Sequence, residues 1–191
     1  MDWDTRVMKW VNEGKVWRAD ETTLRSSVLA VPTTTAGISL QNGEPTNGKH
    51  YVVLAIYGIQ GGTPAALTSW GIVHQLSDLA VGTADVTAEL DTAVTVVNLK
   101  GNGGIYGGAA RMDIDLVVLD DRWAPIGYST NTAVISLTGS QIYEPLNPVQ
   151  IIPPAAVHSL EAVASAVDAT VRLGWVWAEI EPEELDSLGD E

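Results

Sequence analysis

The chain's capacity for acid–base or metal chemistry rests first on its three histidines, His50, His74 and His158. Each stands singly in a run that reads as a strand. None has a second histidine or a carboxylate spaced to share its face, so none is expected to bind a metal. Away from the C-terminus, carboxylates gather at Asp113, Asp115, Asp120 and Asp121. Calcium binding and glycoside hydrolysis both need such gatherings. Alternation in Met112–Leu119 places Asp113 and Asp115 on a wet strand face, however, and Asp120-Asp121 open a turn, where aspartate serves its own backbone. The segment Gly101-Asn102-Gly103-Gly104-Ile105-Tyr106-Gly107-Gly108 has the glycine content of a phosphate loop, but it lacks the Gly-Lys-Ser/Thr ending and opens no helix. It reads as a long hairpin loop. With no Gly-x-Ser-x-Gly elbow, no His-Glu-x-x-His helix and no cysteine, the expectation is a protein without catalytic residues, metal or cofactor.

The aromatic residues offer recognition instead. Trp123, Tyr106 and Tyr128 fall in or beside loops and are candidate stacking platforms for a glycan, which makes a tail or baseplate glycan-binding module the alternative function. Trp123 has a plainer reading as a loop indole folded back over the core edge. Near the start, Trp3, Trp10 and Trp17 recur every seven residues, almost two helical turns. Gly14 and the β-branched Val11 and Val16 limit the helix to about residues 4–12, with an extended run after it. These indoles either plug the chain's own core or pack on a neighbouring subunit. Trp175 and Trp177 share one face of the final strand and are the other expected contact residues.

The elements that position these residues read as β-structure. From residue 27 the chain consists of short β-branched runs separated by Gly, Pro, Asn and Asp, with no long amphipathic helix. Strands are expected at Ser27–Val31, Ala36–Gln41, His50–Gln60, Leu67–Leu76, Ala93–Leu99, Met112–Leu119, Thr132–Leu137, Val149–Ile152, Val157–Val163 and Ala169–Ile180, with Asp120–Tyr128 turning the chain. That number of strands predicts an all-β, jelly-roll-like sandwich, which closes them without long exposed edges. The expected organisation is an N-terminal arm over residues 1–22, one sandwich domain over 23–181 and an acidic, solvated tail over 182–191.

Composition narrows the function further. Hydrophobic residues make up 46% and charged ones 18%, the balance of a folded domain rather than of a disordered chain. A net charge of −14 with only ten Lys and Arg argues against nucleic acid, whose binding needs cations to displace counterions from phosphates. No apolar stretch approaches the roughly 18 residues of a membrane span, and Met1-Asp2-Trp3-Asp4 lacks the basic and apolar regions of a signal peptide. No membrane association is expected.

Several short motifs together resemble a group of small tailed-bacteriophage virion proteins. They are Lys15-Val16-Trp17-Arg18, Asn42-Gly43-Glu44, Gly48-Lys49, the Ile151-Ile152-Pro153-Pro154 turn and the closing Trp177-Ala178-Glu179-Ile180 strand. The resemblance spans most of residues 15–181; Asp120–Tyr128 and the acidic tail depart from it. It implies a jelly-roll-like homotrimer, a capsid decoration or cement protein made in the host cytoplasm. Such a protein would bind the major capsid protein on the outer surface of the virion and stabilise the shell.

Overall fold

The structure, a computed structural model, describes residues 3–32, 36–61, 68–78, 94–101, 105–114, 123–131, 141–165 and 169–186. The chain begins with helix α1 (Trp3–Glu13). Gly14, at φ 76°, ends it: the Gly14 amide donates to Val11 O at 3.0 Å and the Lys15 amide to Trp10 O at 2.9 Å. This paired C-terminal cap satisfies the last carbonyls and needs a residue that tolerates positive φ. The chain then extends, as its β-branched residues favour.

Eleven strands follow among the described residues: β1 (Val16–Glu21), β2 (Arg25–Ser26), β3 (Ile38–Asn42), β4 (His50–Gln60), β5 (Thr68–Asp78), β6 (Val94–Asn98), β7 (Ala110–Ile114), β8 (Ala124–Asn131), β9 (Gln141–Ile152), β10 (Ala156–Ala164) and β11 (Thr170–Ile180). They form two antiparallel sheets. Sheet A runs β6-β1-β11-β4-β9, with β2 also on β11, and sheet B runs β7-β3-β10-β5-β8. Four pairings are nested: β1 with β11, β3 with β10, β4 with β9 and β5 with β8. That is one long hairpin rolled up so that successive legs alternate between sheets, the connectivity of a jelly roll. Strands β6 and β7, inserted between β5 and β8, widen the two sheets beside β1 and β3.

The main core lies between the sheets and is built from alternate residues, among them Ile38 and Leu40, Trp70 and Ile72, and Val171, Leu173, Trp175 and Trp177. A second core lies on the outer face of sheet A. There α1 lays Trp10, Val7 and Val11 over Val16, Val52, Ala55, Val176, Ala178 and Ile180. The Trp10 indole is fully buried and donates to Glu184 of α2 (Pro182–Asp186) at 2.8 Å. Lys15 donates to the same carboxylate at 2.6 Å. Burial pulls the Glu184 carboxyl upward, but these two donors outweigh it and hold its pKa below the usual range. The acidic end, expected to be solvated, is therefore tied down as far as Asp186, because Trp10 of α1 and Lys15 just after the helix offer it two donors. The expected arm is also divided: α1 lies on the sheet, while β1 is an inner strand of it.

Two expected boundaries differ from the structure for one reason. Asp120–Tyr128 was expected to turn the chain, yet its second half begins strand β8, and β9 starts eight residues before the expected Val149. Pro125, Pro145 and Pro148 look like breakers, but β8 and β9 are the edge strands of their sheets. There a missing N–H faces away from the ladder and costs little. Ser27–Val31 supplies only an isolated bridge at Val28, and Thr132–Leu137 lies outside the described residues.

Candidate functional site: an aromatic groove on the outer face of sheet A

A single extra residue shapes an open apolar groove on the outer face of sheet A. In β4, Tyr51 and Val53 point into the main core and Val52 points outward. The pairing of β4 with both neighbours shifts around Leu54, a β-bulge. After it the phase is reversed, so Ala55 and Tyr57 join the outer face while Ile56 points inward. Helix α1 covers only part of that face. Beyond it, Tyr57, Ile59, Val176, Arg18, Leu99 and Tyr143 line a groove of about 300 Å³.

Polar groups make the groove floor rigid. The Tyr57 hydroxyl donates to Asp20 and lies 2.7 Å from the Ala19 carbonyl, while Arg18 Nε donates to it at 3.0 Å. Arg18 Nη2 donates to Asp20 at 2.9 Å, and the guanidinium lies 5.0 Å from the Tyr57 ring centroid. Tyr57 reaches β1 only because residue 174 has no side chain. A Cβ at Gly174 would come within 2.4 Å of the Tyr57 hydroxyl and 2.3 Å of the Ala19 carbonyl. Burial first, and then the Asp20 carboxylate, push the Tyr57 phenol well above its ordinary pKa. It stays protonated and acts as a hydrogen-bonding strut. Tyr143, 59% exposed, stacks on it with ring centroids 6.3 Å apart and planes at 24°. Ile59 and Leu99 are each 40% exposed on the groove walls. Asp20 neutralises Arg18, the one charged residue that lines the groove, so the groove suits an apolar side chain.

The residues expected to make contacts are placed otherwise. Trp10, Trp175 and Trp177 have no exposed surface. An indole with no accessible area cannot meet a partner, so these three are core residues of this chain. Trp17 is half-buried against the main core, with its ring edge-on to Tyr106 at 4.8 Å. Trp3 stays 41% exposed, edge-on to Trp10 at 5.6 Å, and is the one member of the expected set that presents substantial surface. Of the glycan candidates, Trp123 is half-buried and donates to Pro32 O at 3.0 Å. Tyr106 is anchored beneath the glycine-rich loop, and only Tyr128 is broadly exposed. Among the described residues no ring contact joins these three. Asp113 pairs in register with Ser39, while Asp115, Asp120 and Asp121 lie outside the described residues.

Among the described residues, the titratable clusters of the interior include a histidine pair and one around Glu179. His74 Nδ1 is 3.1 Å from His158 Nε2 and 3.1 Å from Gln150 Nε2, which joins β5, β10 and β9. Burial and then the neighbouring His74 push the His158 pKa down to about 3. The other cluster centres on Glu179. The Tyr106 hydroxyl donates to it at 2.5 Å and Trp177 Nε1 at 3.4 Å, while the Ala110 amide donates to the Tyr106 oxygen at 2.9 Å. Burial raises the Glu179 pKa more than these donors lower it. A carboxyl raised in the fold binds its proton more readily folded than unfolded, so its contribution is favourable in acid and is lost as pH rises through the folded value. Glu179→Gln keeps both acceptor contacts and removes the charge. It is expected to raise the melting temperature by a few degrees at pH 8, with the gain disappearing near pH 4; a lower melting temperature at pH 8 would show that the charge itself is needed.

Sequence reading passed over Tyr57, Tyr143 and Arg18. The strand at His50–Gln60 and the alternation of the final strand were legible, but the bulge that turns Tyr57 outward carries no mark in the sequence. No protein-family model matches the chain, and no curated protein matches its sequence.

Proposed function

We propose that this chain is a virion structural protein, a capsid decoration protein that docks on the outer surface of the shell and stabilises it as an oligomer. The observation that carries this reading is the groove: Tyr143, Ile59, Leu99 and Val97 are exposed on one face of an otherwise acidic sandwich. Val97 is the register partner of Arg18 and extends the apolar patch toward the β6 edge. Contiguous exposed apolar surface of this kind marks a place where another protein sits. The jelly roll supports the reading as a fold that builds viral capsids, though it also builds lectins. The resemblance of residues 15–181 to small phage virion proteins points the same way. A charge of −14 suits the outside of a shell, away from packaged DNA.

The test is cosedimentation of the purified chain with cognate shells, followed by imaging. Stoichiometric retention on the outer surface is expected, with a raised melting temperature of the shell. Shell retention is expected to fall at least tenfold for Ile59→Asp. A strict monomer that leaves shells bare at high concentration would overturn the reading.

A further inference from the structure

We propose that Ile105 of one copy seats in the groove of a second copy, so that the chains join head to tail. This rests on reading the groove as a docking surface, and it names the occupant.

Ile105 is 98% exposed. The next residue is one of the most firmly held aromatic side chains in the structure: Tyr106 binds Glu179 and Ala110 through its hydroxyl and packs edge-on to Trp17 at 4.8 Å and Trp177 at 6.1 Å. The loop therefore projects an apolar knob from a fixed base. The exposure of Ile105 also means that it does not occupy the groove of its own chain.

The hole is the groove of about 300 Å³. At about 30 Å³ per water it holds on the order of ten waters for an apolar side chain to displace. Leu99 lines the groove and is the first residue after β6, where the loop starts. Charge favours the pairing. The chain as a whole repels itself at −14, but residues 99–110 carry a single charge, that of Lys100, and the groove's Arg18–Asp20 pair is neutral. The contact thus brings a loop of net positive charge against an acidic neighbour. A knob and a hole at different places on one chain make a heterologous contact, which closes into a ring when the rotation allows.

Sedimentation of the full chain tests this with Ile105→Asp, which lacks the knob, and Ile59→Asp, which lacks the hole. Tyr143→Ser serves as a second hole variant in case a charge in β4 disturbs folding, which circular dichroism would reveal. The wild type is expected to sediment as a multiple of 20.3 kDa and each variant as a single chain. An equimolar mixture of knob and hole variants is expected to form dimers and nothing larger, because only one intact knob and one intact hole can meet. A monomeric wild type, or a mixture that stays monomeric, overturns the proposal. If Ile105→Asp stays oligomeric while both hole variants are monomers, the knob assignment is overturned but the groove remains a docking surface. Shell binding lost in Ile59→Asp and kept in Ile105→Asp likewise overturns self-docking alone. Loss of neither oligomer nor shell binding in the hole variants overturns both.

Discussion

Replacing Trp177 with alanine is expected to lower the unfolding free energy by about 3–5 kcal/mol, the usual cost of emptying a buried indole site. Trp177 has no exposed surface, packs against the rings of Tyr51 and Tyr106, and donates to Glu179. Deleting it opens a cavity between the sheets and loosens the anchor of the glycine-rich loop. Trp3→Ala, at a site 41% exposed, is expected to change stability by no more than about 1 kcal/mol. Urea denaturation of the two variants separates core from surface. If Trp177→Ala kept wild-type stability and lost only its oligomeric state, the indole would be an interface residue and the packing described for it would be wrong.

The second large effect is on acid stability. In the folded chain His158 has a pKa of about 3, against about 6.5 when unfolded. Below pH 6.5 the unfolded chain therefore takes up a proton that the folded chain refuses, and unfolding becomes easier as pH falls. The slope is about 1.4 kcal/mol per pH unit down to the folded value, so roughly 2–3 kcal/mol is lost between pH 6.5 and 4.5 from this residue alone. His74, also lowered by burial, acts in the same direction. His158→Leu fills a similar space with nothing to protonate. It is expected to flatten the stability profile over that interval, while the carboxylates common to both proteins leave the remaining slope alike. Equal pH slopes in wild type and variant would sink the account.

The histidine pair also marks where sequence reading stops. Its two members are 84 residues apart, and each looked solitary because spacing along one strand was the only available test. They meet because His74 and His158 both point inward from neighbouring strands, offset by one register step: His74 is opposite Leu160, and His158 opposite Leu76. The alternation that turned His74 inward with Trp70 and Ile72 was legible. The identity of the neighbouring strand was not, since strand order in a jelly roll follows from how the long hairpin rolls up.

The tryptophans illustrate the same division. That Trp175 and Trp177 share a face follows from the period of two in any strand. Whether that face was a surface or an interior depended on a second sheet lying over it. Sheet B does, so residues expected at an interface became the centre of the core. Trp3, Trp10 and Trp17 keep their spacing, but Gly14 ends the helix between the second and third. Two indoles therefore go to the outer face of sheet A and one to its inner side.

By itself, the sequence determined the all-β class, the strand at His50–Gln60 and the helix cut short at Gly14, because each depends on local periodicity or backbone freedom; the glycine-rich segment, read as a hairpin loop, instead joins β6 of sheet A to β7 of sheet B. The sequence also determined a charge unsuited to nucleic acid. The tertiary structure alone decided which proline-bearing runs became edge strands, which histidines became neighbours, and which tyrosines face outward. The last point rests on one bulged residue, Leu54. A strand's two faces exchange whenever the ladder gains a residue, as β4 does against β11 at Leu54.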